Sequence, residues 1–66
     1  MNILVIGDIV GKPGRRALKG LLPGLQKEYD IHFTIANAEN AAGGRGINQD
    51  VFREIIDAGV DVCTMG

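Results

Sequence analysis

Two acidic residues stand where a sheet can bring them together. Asp8 follows Ile3-Leu4-Val5-Ile6-Gly7, and Glu39 follows the alternating segment 31–37 and Ala38. Both preceding segments read as β-strands. In open α/β sheets, sites form outside the carboxyl ends of the strands. Neighbouring strands lie ~4.8 Å apart, so Asp8 and Glu39 converge if their strands are adjacent. Carboxylates that close repel each other unless a cation lies between them. Two metal ions ~3.5–4 Å apart, with one carboxylate bridging, fit that arrangement. Asn40 adds a neutral amide oxygen beside Glu39. Each residue also has a plainer reading: an Asp after a first strand often caps a helix, Glu39 suits a solvated loop, and Asn37 and Asn40 are common turn formers. The pairing of two acids at two strand ends, among glycines and small residues, favours a site.

The elements that must position these groups follow from the pattern of apolar residues. Residues 3–6 are an unbroken aliphatic run, as in a strand buried on both faces. Residues 31–37 alternate, with Ile31, Phe33 and Ile35 on one side and His32, Thr34 and Ala36 on the other. Residues 60–65 make a third strand. Pro13 suits a first helical position. Ala17, Leu18, Leu21, Leu22 and Leu25 then form a helical stripe. Pro23 and Gly24 predict a kink or a break into two short pieces. Asn48 is a good N-cap, with Ile47 and Phe52 placed for a hydrophobic staple. Val51, Phe52, Ile55 and Ile56 form the buried stripe of the second helix, and Gly59 stops it.

The order is β-α-β-α-β, an α/β pattern with parallel strands and right-handed crossovers. Two crossovers in one direction put both helices on one face of the sheet. The other face is then bare, although parallel sheets are normally covered on both sides. Residues 1–66 therefore read as the N-terminal portion of a single longer domain.

Composition bounds the alternatives. The chain has 66 residues, 45% of them hydrophobic and 23% charged, with a formal net charge of -1. That excludes disorder. The pI of about 5.6 excludes binding to nucleic acid by bulk charge, which calls for a pI above ~9. One cysteine makes no internal disulfide, and Cys63 reads as a packed thiol. The opening apolar run is too short for a secretory signal or a membrane span, so the expected place is the cytoplasm.

The glycine-rich turn invites comparison with a phosphate cradle. Gly7, Gly11 and Gly14 depart from the G-x-G-x-x-G dinucleotide fingerprint, and Gly7 to Lys12 is one residue short of a P-loop. Glu39 keeps open a Rossmann-like nucleotide-binding module, because an acid there can hold ribose hydroxyls. Lys12, Arg15 and Arg16 read as a solvated helix face, or else as contacts to an anionic substrate or an acidic loop. Arg45 can reach a phosphate from its glycine-rich loop. His32 reads as a structural mid-strand residue on the sheet's second face.

The segments Gly7-Asp8-Ile9-Val10-Gly11-Lys12-Pro13-Gly14-Arg15, Ala36-Asn37-Ala38-Glu39-Asn40-Ala41-Ala42-Gly43-Gly44 with Gly46-Ile47, and Val60-Asp61-Val62-Cys63-Thr64-Met65-Gly66 resemble the YmdB-type branch of the calcineurin-like metallophosphoesterases. The resemblance runs along the whole chain. It implies a four-layer α/β/β/α sandwich with a dinuclear metal centre at the strand ends, holding iron, manganese or zinc. It implies that Asp8 ligates one metal, Glu39 bridges both, and Asn40 ligates the other. It further implies hydrolysis of a small phosphorylated substrate, a 2',3'-cyclic nucleotide in this branch, and leaves room for a homo-oligomer. Val10 stands where ordinary superfamily members carry a histidine ligand. The third family motif is Gly-Asn-His, and only its glycine, Gly66, is present. The histidine general acid is therefore expected beyond Gly66, and residues 1–66 by themselves should catalyse nothing measurable. A regulatory domain that kept this fold without activity is the further alternative. If the second sheet face needs covering, the isolated 66-mer should show no cooperative thermal unfolding as a monomer; a sharp monomeric transition by circular dichroism would contradict that.

Overall fold

The computed structural model describes residues 1–43 and 48–65. Its elements run β1 (Ile3–Asp8), α1 (Gly11–Glu28), β2 (Phe33–Asn37), α2 (Gln49–Asp57) and β3 (Val62–Thr64). The strands form one parallel sheet in the order β1-β2-β3. Arg45 and Ile47, and with Ile47 the proposed staple, lie outside the described residues, as does Gly66.

The register divides the strand residues between two faces. Ile6 pairs with Ala36, and Ala36 with Cys63. This row meets Leu18 and Leu22 of α1 and Val51 and Ile55 of α2 in one core cluster. Both helices therefore cover the same face, as two like crossovers require. On the other face Ile3 lies beside Phe33, and Ile35 lies between Val5 and Val62. Ile3, Val5 and Val62 are exposed, Val5 at 70%. This apolar face is uncovered among the described residues, as the sequence order implies.

Helix α1 runs unbroken for 18 residues with Pro23 inside it, so the expected break into two pieces does not occur. Leu18 and Leu22 sit one turn apart and are both buried, which holds the segment on the sheet across the proline. Pro23 and Lys19, whose carbonyl loses its helical partner, are both exposed. The helix also starts two residues before Pro13, which still lies in the first turn, where a missing N–H has no consequence. At the other end Asp30 takes φ 51°, and the Ile31 N–H donates to the Gln26 carbonyl at 2.9 Å. This is the left-handed helix stop, with aspartate in the usual place of glycine.

Asn48 caps α2, its side chain accepting from the Val51 N–H at 2.8 Å. Val51 and Ile55 are buried, but Phe52 is 45% exposed. The buried stripe is thus narrower than expected, because a nine-residue helix at the edge of a single sheet covers only one row. Gly59 follows with φ +120°, and a Cβ there would stand 2.9 Å from Gln26 Oε1. Gln26 uses that proximity: its Nε2 donates to the Gly59 carbonyl at 2.9 Å and to Thr34 Oγ1 at 3.0 Å. Thr34 is fully buried, and its own N–H donates to Asp61 Oδ2 at 2.8 Å, so this polar intrusion into the core is satisfied. His32 corrects another expectation. It precedes β2, is exposed, and its Nδ1 accepts from the Asn2 N–H at 3.0 Å. Its backbone N–H donates to the Asn2 carbonyl, so it fastens the chain start to β2.

Leu22 is 1% exposed and its neighbour Leu21 is 64% exposed. In the intact protein Leu22→Ala should lower unfolding free energy by about 2–5 kcal/mol, and Leu21→Ala by no more than about 0.5 kcal/mol. Denaturant titration of the two variants reads which side of α1 faces the sheet.

Candidate functional site

The site is built where β1 and β2 end together. The ladder runs evenly from Ile3↔Phe33 to Ile6↔Ala36, then skips Gly7 so that Asp8 pairs with Asn37. This irregularity inserts one extra residue on β1, as a bulge does. It sets Asp8 level with the last residue of β2. Beyond it the Ile9 N–H donates to the Asn37 carbonyl at 3.1 Å, and the Ile9 side chain is buried. Asp8 itself stays exposed.

The second segment turns immediately after β2. Asn37 Oδ1 accepts from the Glu39 N–H at 3.0 Å, an Asx turn. The Ala38 N–H donates to the Thr64 carbonyl at 2.8 Å, and the Ala41 N–H to the Ala38 carbonyl at 3.2 Å. Ala38 and Ala41 are both fully buried. These two methyl groups peg the turn to the core and leave Glu39 exposed between them.

Asn40 joins the two segments. Its Nδ2 donates to Asp8 Oδ2 at 3.0 Å. Its backbone carbonyl accepts from the Gly11 N–H at 3.0 Å and the Gly43 N–H at 3.1 Å. Gly11 is the first residue of α1, so Asn40 satisfies one of that helix's unpartnered N–H groups. Gly11 has φ +58°, which lets the chain turn sharply from Asp8 into the helix.

The sequence points to three residues at a metal site: Asp8, Glu39 and Asn40. The structure brings Asp8 and Asn40 into direct contact. It places Glu39 on the adjoining exposed turn. Among the described residues no group of three or more His, Cys, Asp or Glu side chains clusters as a metal cage. The candidate set here is two carboxylates and one amide. All three offer hard oxygen donors, which suits manganese or another hard divalent ion and offers no soft ligand. In the present contact Asn40 turns its amide nitrogen toward Asp8; ligation by Asn40 calls for its oxygen, which rotation of the same side chain presents. The donor types fit a divalent metal.

Arg15 makes contacts that the sequence pattern did not specify. It does not lie on a solvated face, unlike the exposed Lys12 and Arg16. Its Nε donates to Glu54 Oε1 at 2.7 Å, and its Nη1 donates to the Ala41 carbonyl at 2.5 Å. The side chains of Arg15 and Glu54 are 17% and 27% exposed. Lys19 Nζ lies 3.6 Å from the same carboxylate oxygen. The hydrogen bond from Arg15 holds the Glu54 carboxyl below its usual range, against the opposing effect of burial. A signal was present: Glu54 precedes Ile55 on the inner side of α2, where a lone acid needs a cation. Cys63 is half-buried, and burial pushes its thiol up, which suits packing rather than nucleophilic chemistry.

Comparison with known proteins places this geometry. Residues 4–66 match the family model described as YmdB-like protein. The chain is 48% identical over 66 residues to the 2',3'-cyclic-nucleotide 2'-phosphodiesterase of Bacillus subtilis (strain 168), covering all of this chain and 25% of that protein. It is 38% identical to a Mycoplasma genitalium protein named as a putative phosphatase/phosphodiesterase, covering 24% of it. Among solved structures, a novel phosphatase from Mycoplasma pneumoniae superposes with a TM-score of 0.94 at 36% identity, over 97% of this chain and 23% of that one. A hypothetical protein from Thermus thermophilus superposes with a TM-score of 0.84 at 43% identity, over 96% of this chain and 24% of that one. The chain thus spans about a quarter of the length of the curated relatives it matches. No described helix is long and apolar enough to cross a membrane.

The Arg15–Glu54 pair predicts a pH effect. Glu54 has a lowered pKa in the folded state, so its contribution is fully present above the ordinary value of 4.5. It is lost as pH falls below that value and through the folded one. Thermal stability of the intact protein should therefore decline on this limb more steeply in the wild type than in Glu54→Gln; parallel acid limbs in the two proteins would contradict the pairing.

Proposed function

We propose, from the premise that this chain belongs to the YmdB-like protein family, that it carries the metal-binding strand ends of a phosphodiesterase acting on 2',3'-cyclic nucleotides. The observation that carries this reading is the 3.0 Å contact of Asn40 Nδ2 with Asp8 Oδ2, with Glu39 on the same turn. The name of the Bacillus subtilis relative supports the reaction class and the substrate.

In this reading Asp8, Glu39 and Asn40 would hold two divalent or mixed-valence ions of iron, manganese or zinc. When bound, such ions supply Lewis acidity toward a phosphoryl oxygen and lower the pKa of water. The chain's part is to fix the donors and set their charge. With only two carboxylates and a neutral amide, these donors would leave two bound cations incompletely neutralised. An anionic phosphodiester is then attracted rather than repelled. The backbone pairings of Asp8 and Asn37 hold the donors on rigid strand ends, which limits their movement during the reaction.

The histidine of this sequence does not stand beside these donors, where the leaving alkoxide would need a proton. His32 is the only histidine of the sequence, and it precedes Phe33, at the opposite end of β2 from Asn37. At ~3.3 Å per residue, the length of β2 separates it from the site by about 16 Å. In this reading the proton comes from the histidine that the family resemblance implies beyond Gly66, and the 66-residue chain by itself should catalyse nothing measurable.

Asp8→Asn in the intact protein should lower hydrolysis of 2',3'-cyclic AMP by more than the ~10–100-fold typical of outer-shell changes at metal sites, with a fall in bound metal by elemental analysis. Wild-type turnover at wild-type metal content would refute the ligand role.

A further inference from the structure

We propose that Arg15 is a positioning residue that locks the turn carrying Glu39 and Asn40 against both helices, so that the site's donors depend on a cation that never touches them. The inference rests on the functional reading above for its consequence, but on contacts within this chain for its substance.

Arg15 lies in the first half of α1, where the helix dipole makes a cation slightly unfavourable. Its side chain is partly buried, and drawing an unpaired charge out of water is costly. Glu54 on α2 supplies the counter-charge at 2.7 Å. That leaves the fork of remaining N–H donors to be aimed. One of them reaches the Ala41 carbonyl. Ala41 ends the turn whose other members are Ala38, Glu39 and Asn40. A carbonyl of this turn is thus tied to α1 through Arg15 and, by the same side chain, to α2 through Glu54. Within the turn, the Gly43 N–H rests on the Asn40 carbonyl and the Ala41 N–H on the Ala38 carbonyl. Release of Ala41 frees both closures.

Lysine does not replace this group. A single ammonium lacks the planar fork that serves a carboxylate and a carbonyl in different directions. Glu54→Gln keeps an acceptor for Arg15 but removes the charge that anchors it.

The test compares wild type, Arg15→Met, Arg15→Lys and Glu54→Gln in the intact protein, by amide hydrogen exchange and by manganese titration. In Arg15→Met the amides of Ala41 and Gly43 should exchange about 10-fold faster or more, while β1 amides keep their wild-type rates. Manganese affinity should fall about 10–100-fold, the range for residues that orient metal ligands, and turnover should recover toward wild type at saturating manganese. Arg15→Lys should restore neither property fully, and Glu54→Gln should fall between wild type and Arg15→Met. Wild-type exchange at Ala41 and Gly43 in Arg15→Met would overturn the proposal. So would uniform acceleration across the sheet, which marks a merely structural role. If wild-type protein takes up none of manganese, iron or zinc, the functional reading fails alone, and the exchange result still upholds or overturns the positioning role.

Discussion

The pairing of Asp8 with Asn37 at the end of a parallel ladder is the constraint from which the rest of the site follows. Parallel strands carry their chain direction in common, so both leave the sheet on the same side. Asp8 leaves toward α1 and Asn37 leaves toward α2. With the strands ~4.8 Å apart, the two exits must share a small volume. The skipped residue at Gly7 advances Asp8 to the rim. Asn40 then bridges the exits, with its side chain on Asp8 and its carbonyl on the start of α1.

The turn after β2 carries charge at its surface and none at its base. Ala38 and Ala41 are fully buried, and a larger side chain at either would lift the turn from the core. Glu39 between them is exposed, so its carboxylate keeps its hydration until a ligand replaces it. Arg15 and Glu54 complete this arrangement below the turn. A partly buried ion pair of this kind adds little net stability, yet it fixes orientation because the guanidinium is planar and its donors diverge. Family membership over residues 4–66 and the overlay on a Mycoplasma pneumoniae phosphatase show that this backbone frame is shared.

Much of the fold was legible in the sequence because its signals are local. The aliphatic run at 3–6, the alternation through Phe33 and Ile35, and the Asn48 cap each depend on neighbours a few residues away. The bare sheet face followed from connection order alone. Pro23 does not break α1, because the anchoring of Leu18 and Leu22 on the sheet is a tertiary effect that outweighs a local propensity. His32 and Phe52 misled for a related reason: periodicity assigns a face but not the point at which an element begins or its cover ends. Asp8, Glu39 and Asn40 stood out as residue types at strand ends. The contacts of Arg15 did not, because Glu54 lies 39 positions along the chain and the Ala41 carbonyl leaves no trace in a side-chain pattern.

The central claim is that these strand ends hold a pair of cations. Anomalous diffraction from crystals of the intact protein grown with manganese tests it most directly. Two peaks about 3.5–4 Å apart, one against Asp8 and both against Glu39, are the predicted result. No peak at the ends of β1 and β2, or one bound only by other residues, would contradict it.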